Sequence, residues 1–289
     1  MIIVQKDSKV KKYTQDYTIP IGDIDYNKHV NGSRYEFYSE DSRMQILANI
    51  GIDITSLIQN NTSLIHKSSH FQFHKQRSWN DKIRIETTCF CLSQDSIEWH
   101  HEIYDLTSGN LAAKIYRLDS LELFEQKDKD LIHFHTTRSK PISEEQLFSN
   151  QIIESRILEF ELRPNLSDRN GFQAYPLFQL FKQVEEVRWL FSEGMGLTLE
   201  GAKKLDCVFF TTESSLIQRE ILLPGEKIRI LAFISDYKKI ACNLKQSFFQ
   251  GDSKLPFLIA KEKLLAVSPS RMTPRKIPEQ LFQKFLISP

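Results

Sequence analysis

The chain has 289 residues, 40% hydrophobic and 26% charged, with 38 basic against 37 acidic side chains. That composition suits a folded globular protein with room for two domains of roughly 140 residues each, and a net charge of +1 without long runs of one sign gives nucleic-acid binding no footing. The opening MIIVQKDSKVKK lacks the apolar run of a signal peptide, and no stretch reaches the ~18 uncharged apolar residues of a membrane span, so the cytoplasm is the expected compartment.

In chain order, a short strand is expected from Tyr13 to Ile21, then the polar loop GDIDYNKHVNGSRYEFY at 22–38. A long helix follows from near Ser33, because Tyr35, Tyr38, Ser42, Ile46 and Ile50 recur every three or four residues. Alternation with period two then predicts strands. Ile83, Ile85, Thr87, Cys89 and Cys91 share one face, Ile97, Trp99, His101 and Ile103 another, and a last strand runs from Ala112 to Leu123. The charged, Pro-containing segment 127–148 reads as a linker.

The same order then recurs. A strand is expected over 152–162, a helix carries Leu177, Phe181, Val184, Val187 and Phe191 on one stripe, and alternating runs follow. Ile228, Ile230, Ala232 and Ile234 make one face, Cys242, Leu244, Gln246 and Phe248 the next, and Leu258–Val267 is the last strand. The sequences match as well: NDKIRIETTCF (80–90) with GEKIRILAFIS (225–235), and EDSRMQILANIGI (40–52) with EEVRWLFSEGMGL (185–197). Asp81 and Glu226 lie 145 positions apart, as do Arg43 and Arg188, so a duplicated unit is expected. The domains are read as 1–130 and 150–289, joined by a linker at 131–149. One long helix beside one antiparallel sheet in each half makes an α+β fold.

The loop concentrates the chemistry. Asp23, Asp25 and Asn27 fit the first three ligand positions of a calcium loop, but Lys28 stands where glycine is required and Arg34 where glutamate is, so the metal reading fails. His66, His70 and His74 lie four apart, yet on a strand they would span roughly 13 Å, too far for one ion. The four cysteines, Cys89, Cys91, Cys207 and Cys242, form no C-x-x-C pair and read as buried thiols. From the residues alone two readings of the loop stand side by side. Asn31 or Ser33 can simply cap the helix while Asp23 and Asp25 satisfy loop amides. Equally, the loop can be catalytic.

DIDYNKHVNGSRY, through Asp25, Asn27, His29, Val30, Asn31 and Tyr35, resembles the D-x-N-x-H-V-N-N-x-x-Y stretch of acyl-ACP thioesterases. It is also similar to the loop of acyl-CoA thioesterases of the hydroxybenzoyl-CoA thioesterase type. With the duplicated layout, the whole chain resembles a tandem, or double, hotdog: two units in one chain, each a curved antiparallel sheet wrapped around one long helix. The resemblance implies hydrolysis of an acyl-ACP or acyl-CoA thioester without cofactor or metal, at one site between the two hotdog units. It implies catalytic roles for Asp25, Asn27 and His29, with Phe178, Phe181, Glu185 and Glu186 as candidates for the second half's contribution, Phe178 and Phe181 reading first as core.

A thioester needs an activated water or a carboxylate nucleophile, and donors for the oxyanion. Asp25 can be base or nucleophile, Asn27 can hold it or the water, and His29 can donate to the carbonyl or shuttle a proton. Backbone N–H groups near Asn31, Gly32 and Ser33 at the helix start can form the oxyanion hole. The glutamate that the resemblance implies at the end of the next strand falls near Gln76, which cannot act as a base. In the second half, RPNLSDRNGFQAYPLF keeps Asp168 and Asn170 at the spacing of Asp25 and Asn27, with Phe172 at the histidine position, so this copy reads as degenerate with Asp168 and Asn170 as auxiliary groups at most.

The alternatives are a non-catalytic double hotdog that binds acyl chains or a protein partner, and a hotdog dehydratase or hydratase. The basic SRMTPRKIPEQL (270–281) reads as a solvated tail, the other option being contact with the phosphates of CoA or a phosphopantetheine arm. Pairing of double hotdogs into a homo-oligomer is open.

Overall fold

The computed structural model describes residues 11–25, 28–136 and 155–285. They form two compact units. The first takes in the described residues up to 136 together with Arg169–Gln179, and the second those from Ser155 to Asp168 and from Leu180 onward.

In the first unit, β1 (Lys12–Thr18) is followed by the polar loop, helix α1 (Gly32–Asn49) and a short α2 (Ile54–Gln59). Then come β2 (Ile65–Phe73), β3 (Lys82–Ser93), β4 (Ser96–Asp105), β5 (Leu111–Ser120) and α3 (Gln126–His135). The strands lie side by side in the order β1-β3-β4-β5-β2, antiparallel throughout. In the second, β6 (Leu158–Leu162) precedes α4 (Leu177–Gly194), whose first residues group with the first unit. After α5 (Leu199–Leu205) come β7 (Val208–Gln218), β8 (Ile228–Lys238), β9 (Ala241–Gln250), β10 (Leu258–Ser268), β11 (Thr273–Pro274) and α6 (Glu279–Phe285). The order repeats as β6-β8-β9-β10-β7, with β11 added on β10.

The duplication extends to individual residue pairs. Ile85 faces Ile103 as Ile230 faces Phe248, and Trp99 faces Arg117 as Leu244 faces Glu262. His70 faces Tyr116 as Ser215 faces Lys261. Both long helices end alike. The Gly51 N–H bonds Ala48 O and the Ile52 N–H bonds Leu47 O, while Gly196 and Leu197 do the same to Glu193 and Ser192. Gly51 (φ +100°) and Gly196 (φ +78°) take the left-handed turn this motif requires, which a side chain would strain.

The two helices differ in what they bury. On α4 the buried face is mostly apolar: Leu177, Leu180, Phe181, Val184, Val187 and Phe191, as the periodicity predicts. On α1, Tyr35, Tyr38, Ile46 and Leu47 are buried, but so are Ser33, Glu36, Ser39, Ser42 and Arg43. Buried charge is costly unless it is paired. The sheet supplies the partners. Glu36 accepts from both Arg43 and Arg117, and Arg117 also donates from Nε to Asp119 at 2.7 Å. Arg43 donates to His101 Nε2 at 3.1 Å, so His101 carries its proton on Nδ1 and donates a hydrogen bond from there to Thr87 Oγ1 at 2.8 Å. Burial, then Arg43, holds the His101 imidazole well below its ordinary range, consistent with a neutral ring.

The second unit carries a reduced copy. Arg188, at the place of Arg43, donates to Glu262, which stands at the place of Arg117, and Gln246 Nε2 reaches Glu262 at 3.0 Å. The sheet position is thus cationic in one unit and anionic in the other.

Two expectations change. The segment from 127 expected as linker begins inside α3, whose Ile132 is fully buried in the first unit's core beside Leu47, Trp99 and Leu121; residues 137–154 lie outside the described residues. The presumed tail is pinned down: β11 pairs with Val267 and Ser268, and Arg275 donates to the carbonyls of Leu205 and Asp206 at 2.6 Å. Uncapped carbonyls at the end of α5 attract a guanidinium more strongly than open solvent does. All four cysteines are buried free thiols. His66 and His70 lie on β2 with a bulge between His66 and Ser68, and no group of three or more His, Cys, Asp or Glu among the described residues is placed to hold a metal.

Candidate active site

The loop between β1 and α1 is closed by its own hydrogen bonds. A 3-10 turn at Ile21–Asp23 leads to Ile24, which bridges to Val30. Between them, the Asp25 N–H bonds His29 O at 2.9 Å, the Lys28 N–H bonds Asp25 O at 2.9 Å, and the His29 N–H bonds Asp25 Oδ1 at 3.1 Å. Lys28 takes φ +66° to complete the turn. These bonds set Asp25 and His29 at the neck of one short loop, immediately before the N-terminus of α1. Asn27 lies outside the described residues.

Asn31 is the last extended residue before the helix and makes no side-chain capping bond, so the simple capping reading does not hold for it. Gly32 and the buried Ser33 open the first turn, where backbone N–H groups have no acceptor within the helix and the helix dipole is positive.

The loop is held from outside by the segment after β2. The Val30 N–H bonds Arg77 O at 3.0 Å, and Ser78 Oγ donates to Lys28 O at 3.3 Å. Gln76 itself is exposed; it is Arg77 that anchors the loop, and its guanidinium is held by Asp105. Asp105 also accepts from Ser108 Oγ at 2.7 Å and the Thr107 N–H at 2.9 Å, and these bonds with Arg77 push its carboxyl down to about 2. A depressed acid binds fewer protons folded than unfolded, so its contribution is present above the ordinary carboxylate range and lost as pH falls toward the folded value. Melting followed from about pH 6 down to pH 2 should therefore show an acid limb that is shallower in Asp105→Asn. An unchanged limb would mean that Asp105 is not coupled to folding.

Asp23, which the sequence offers only as a loop-amide acceptor, is tied to the helix. It is buried; Tyr38 Oη donates to its Oδ2, and Arg34 Nη2 lies 2.7 Å from its Oδ1. The signal was there in the spacing, since Arg34 and Tyr38 share a helix face one turn apart.

The second loop has the same hydrogen-bond skeleton. A 3-10 turn at Leu166–Asp168 leads to Asn170, whose N–H bonds Ala174 O at 2.9 Å and whose O accepts from the Gln173 N–H at 3.0 Å. Asn170 Oδ1 accepts the Ala174 N–H at 3.4 Å, and Gln173 takes φ +58°. This corrects the pairing of the loops by motif spacing. Asn170 stands where Asp25 does, Ala174 where His29 does, and Asp168 where Asp23 does. Backbone geometry, which follows the constant shift of 145, outweighs the chance recurrence of D-x-N. The second loop thus has neither the carboxylate nor the imidazole of the first. Instead it packs: Phe172 lies against the first unit's core, Gly171 approaches Ile58, and Phe178 meets Phe37 edge-on at 5.1 Å.

Residues 19–124 match the family model described as the thioesterase-like superfamily. No curated protein matches the chain in sequence. Among solved structures, the 12:0-ACP thioesterase from Umbellularia californica is similar over 88% of this chain and 94% of that one, with a TM-score of 0.67 and 10% identity. The chain has a double-hotdog fold. A Lactobacillus plantarum protein assigned as an oleoyl thioesterase shares this double hotdog over 94% of this chain and 99% of its own, at TM-score 0.70 and 9% identity. An acyl-ACP thioesterase from Bacteroides thetaiotaomicron VPI-5482 does so over 88% and 97%, at 0.63 and 8%. No helix of the double hotdog, among the described residues, is long and apolar enough to cross a membrane.

Proposed function

We propose that the double hotdog hydrolyses an acyl thioester carried on CoA or on an acyl carrier protein, and that the loop before α1 does the chemistry. Asp25, acting as base, takes a proton from water as it attacks the carbonyl carbon. The C–S bond breaks, and the thiolate leaves with a proton relayed by His29. An alternative course has the Asp25 carboxylate attack first and water resolve the anhydride. Asn27 holds the carboxylate or the water, and backbone N–H groups of Asn31, Gly32 and Ser33 receive the oxyanion. Gly32 lets the thioester approach the main chain closely.

One observation carries this reading: the loop's own hydrogen bonds bring Asp25 and His29 together at the start of α1, while the second loop keeps the skeleton and lacks both groups. The fold supports it, since solved structures named as acyl-ACP thioesterases share it. Gln76 and the second-loop residues Asp168 and Asn170 receive no catalytic role here.

The test is thiol release from a panel of acyl-CoA and acyl-ACP substrates, short to long. Turnover is expected on at least one series, and His29→Ala should lower it about 10²-fold or more. Binding of acyl carriers without thiol release would replace hydrolysis with a binding role, and a change in enoyl absorbance would replace it with hydration chemistry.

A further inference from the structure

We infer that Asp23 is a positioning residue of the first loop. With Arg34 and Tyr38 it forms a clamp that fixes Asp25 and His29 relative to the first turn of α1. The inference rests on the thioesterase reading for its kinetic consequence, though not for its structural one.

The clamp is built from three side chains. Asp23 closes the 3-10 turn two residues before Asp25 and is 6% exposed. One carboxylate oxygen accepts the Tyr38 hydroxyl, and the other faces Arg34 Nη2 at 2.7 Å. Both partners sit on α1, so one carboxylate ties the entry of the loop to the first two turns of the helix. The helix side of the clamp is itself fixed. The Arg34 guanidinium lies 4.3 Å from the centre of the Phe37 ring. Tyr38 packs on Tyr17 with ring centres 5.0 Å apart, and the Tyr17 hydroxyl is held by Asp41 Oδ2 at 2.9 Å. Burial, then the bond to Asp23, pushes the Tyr38 phenol above its ordinary range, so it keeps its proton and donates.

The far side of the loop is tied by Val30 to Arg77 O. The segment carrying Asp25 and His29 is therefore anchored at both ends, one anchor ionic and the other backbone.

The second loop serves as a control within the chain. Asp168 occupies the place of Asp23, but Gln179 and Gln183 stand where Arg34 and Tyr38 do, and the Asp168 partner is the local Asn165 Nδ2 at 3.3 Å. The clamp and the two residues Asp25 and His29 occur together in the first loop, and their counterparts in the second loop are all different side chains except Asp168. A clamp needed only to fold the loop would be needed twice, because both loops have one skeleton. Its restriction to the loop with the reactive side chains assigns it to their placement.

The experiment compares wild type with Asp23→Asn, Arg34→Gln and the double variant in two readouts. The first is hydrogen exchange at the amides of Asp25, His29 and Val30, which needs no substrate. Exchange should rise about tenfold or more in Asp23→Asn while core amides of β3 and β4 keep their protection. Unchanged exchange overturns the clamp. The second is steady-state hydrolysis. kcat should fall about 10²-fold with KM within about twofold, because misplacement of reacting groups costs the transition state and not substrate binding. The double variant should lose no more than Asp23→Asn alone, since both changes open one clamp. A loss that is additive, or a kcat at the wild-type level in folded Asp23→Asn, overturns the inference. If the wild type hydrolyses no thioester at all, the functional reading fails by itself, and exchange alone decides the clamp.

Discussion

Asp25→Asn should lower thiol release about 10²–10⁴-fold, the range expected when a positioned acid or base is removed. The substitution is chosen because the chain already contains its structural outcome. Asn170, at the equivalent place in the second loop, accepts the Phe172 and Ala174 amides through Oδ1 at 3.1 and 3.4 Å and closes the same turn. An asparagine at 25 can therefore keep the bond to the His29 amide and the loop's shape. What it cannot do is take a proton from water or attack a carbonyl. Thermal melting of Asp25→Asn should match wild type within a few degrees, about what a neutral substitution allows. Full activity in the folded variant would remove Asp25 from the mechanism and with it the assignment of this loop. The converse also follows: Asn170→Asp should not create a second site, because Ala174 supplies no imidazole.

The second large effect concerns stability. Glu36→Ala should destabilise the first unit by about 3–5 kcal/mol, the cost of leaving buried charge without its partner. Glu36 is the shared acceptor of Arg43 and Arg117, and all three side chains are buried. Without it the two guanidiniums face each other, and the ion pair that Asp119 makes is with Arg117. Burial raises the nearby Glu40 carboxyl above its ordinary range, with Arg117 and Arg43 pulling it down and Glu36 and Asp119 adding to the rise. Urea unfolding read at Trp99, with Trp79 and Trp189 replaced by Phe, would report this unit. The exposed pair Lys263–Glu213, 2.6 Å apart in the second unit, gives the scale: Lys263→Ala should cost at most about 1 kcal/mol. A loss for Glu36→Ala no larger than that would show the network to be replaceable.

Most of the architecture was legible before any coordinates. The shift of 145 between Arg43 and Arg188 is also the shift between corresponding facing pairs of the two units, because a duplicated strand order must repeat its register once the hydrophobic alternation repeats. The stripe Leu177, Phe181, Val184, Val187, Phe191 was readable for the same reason: one apolar face must be buried. Less of α1 was legible. Glu36, Ser39 and Arg43 look like a solvent face, and become core only because β4 and β5 bring His101, Arg117 and Asp119 beneath them.

The candidate site divides along the same line. By itself the sequence determined that the chain is a duplicated α+β unit, that the first copy carries Asp25, Asn27 and His29 ahead of a helix, and that the second copy is altered. These are local facts of order, period and spacing. Tertiary structure alone decided which residues of the two loops correspond, that Arg77 and not Gln76 holds the loop, and that Asp23 is tied to Arg34 and Tyr38. The physical reason is range. Periodicity and turn chemistry act over a few residues and can be read along the chain. A hydrogen bond from Val30 to Arg77, or from Arg117 to Glu36, joins positions whose neighbourhood exists only after the sheet has assembled.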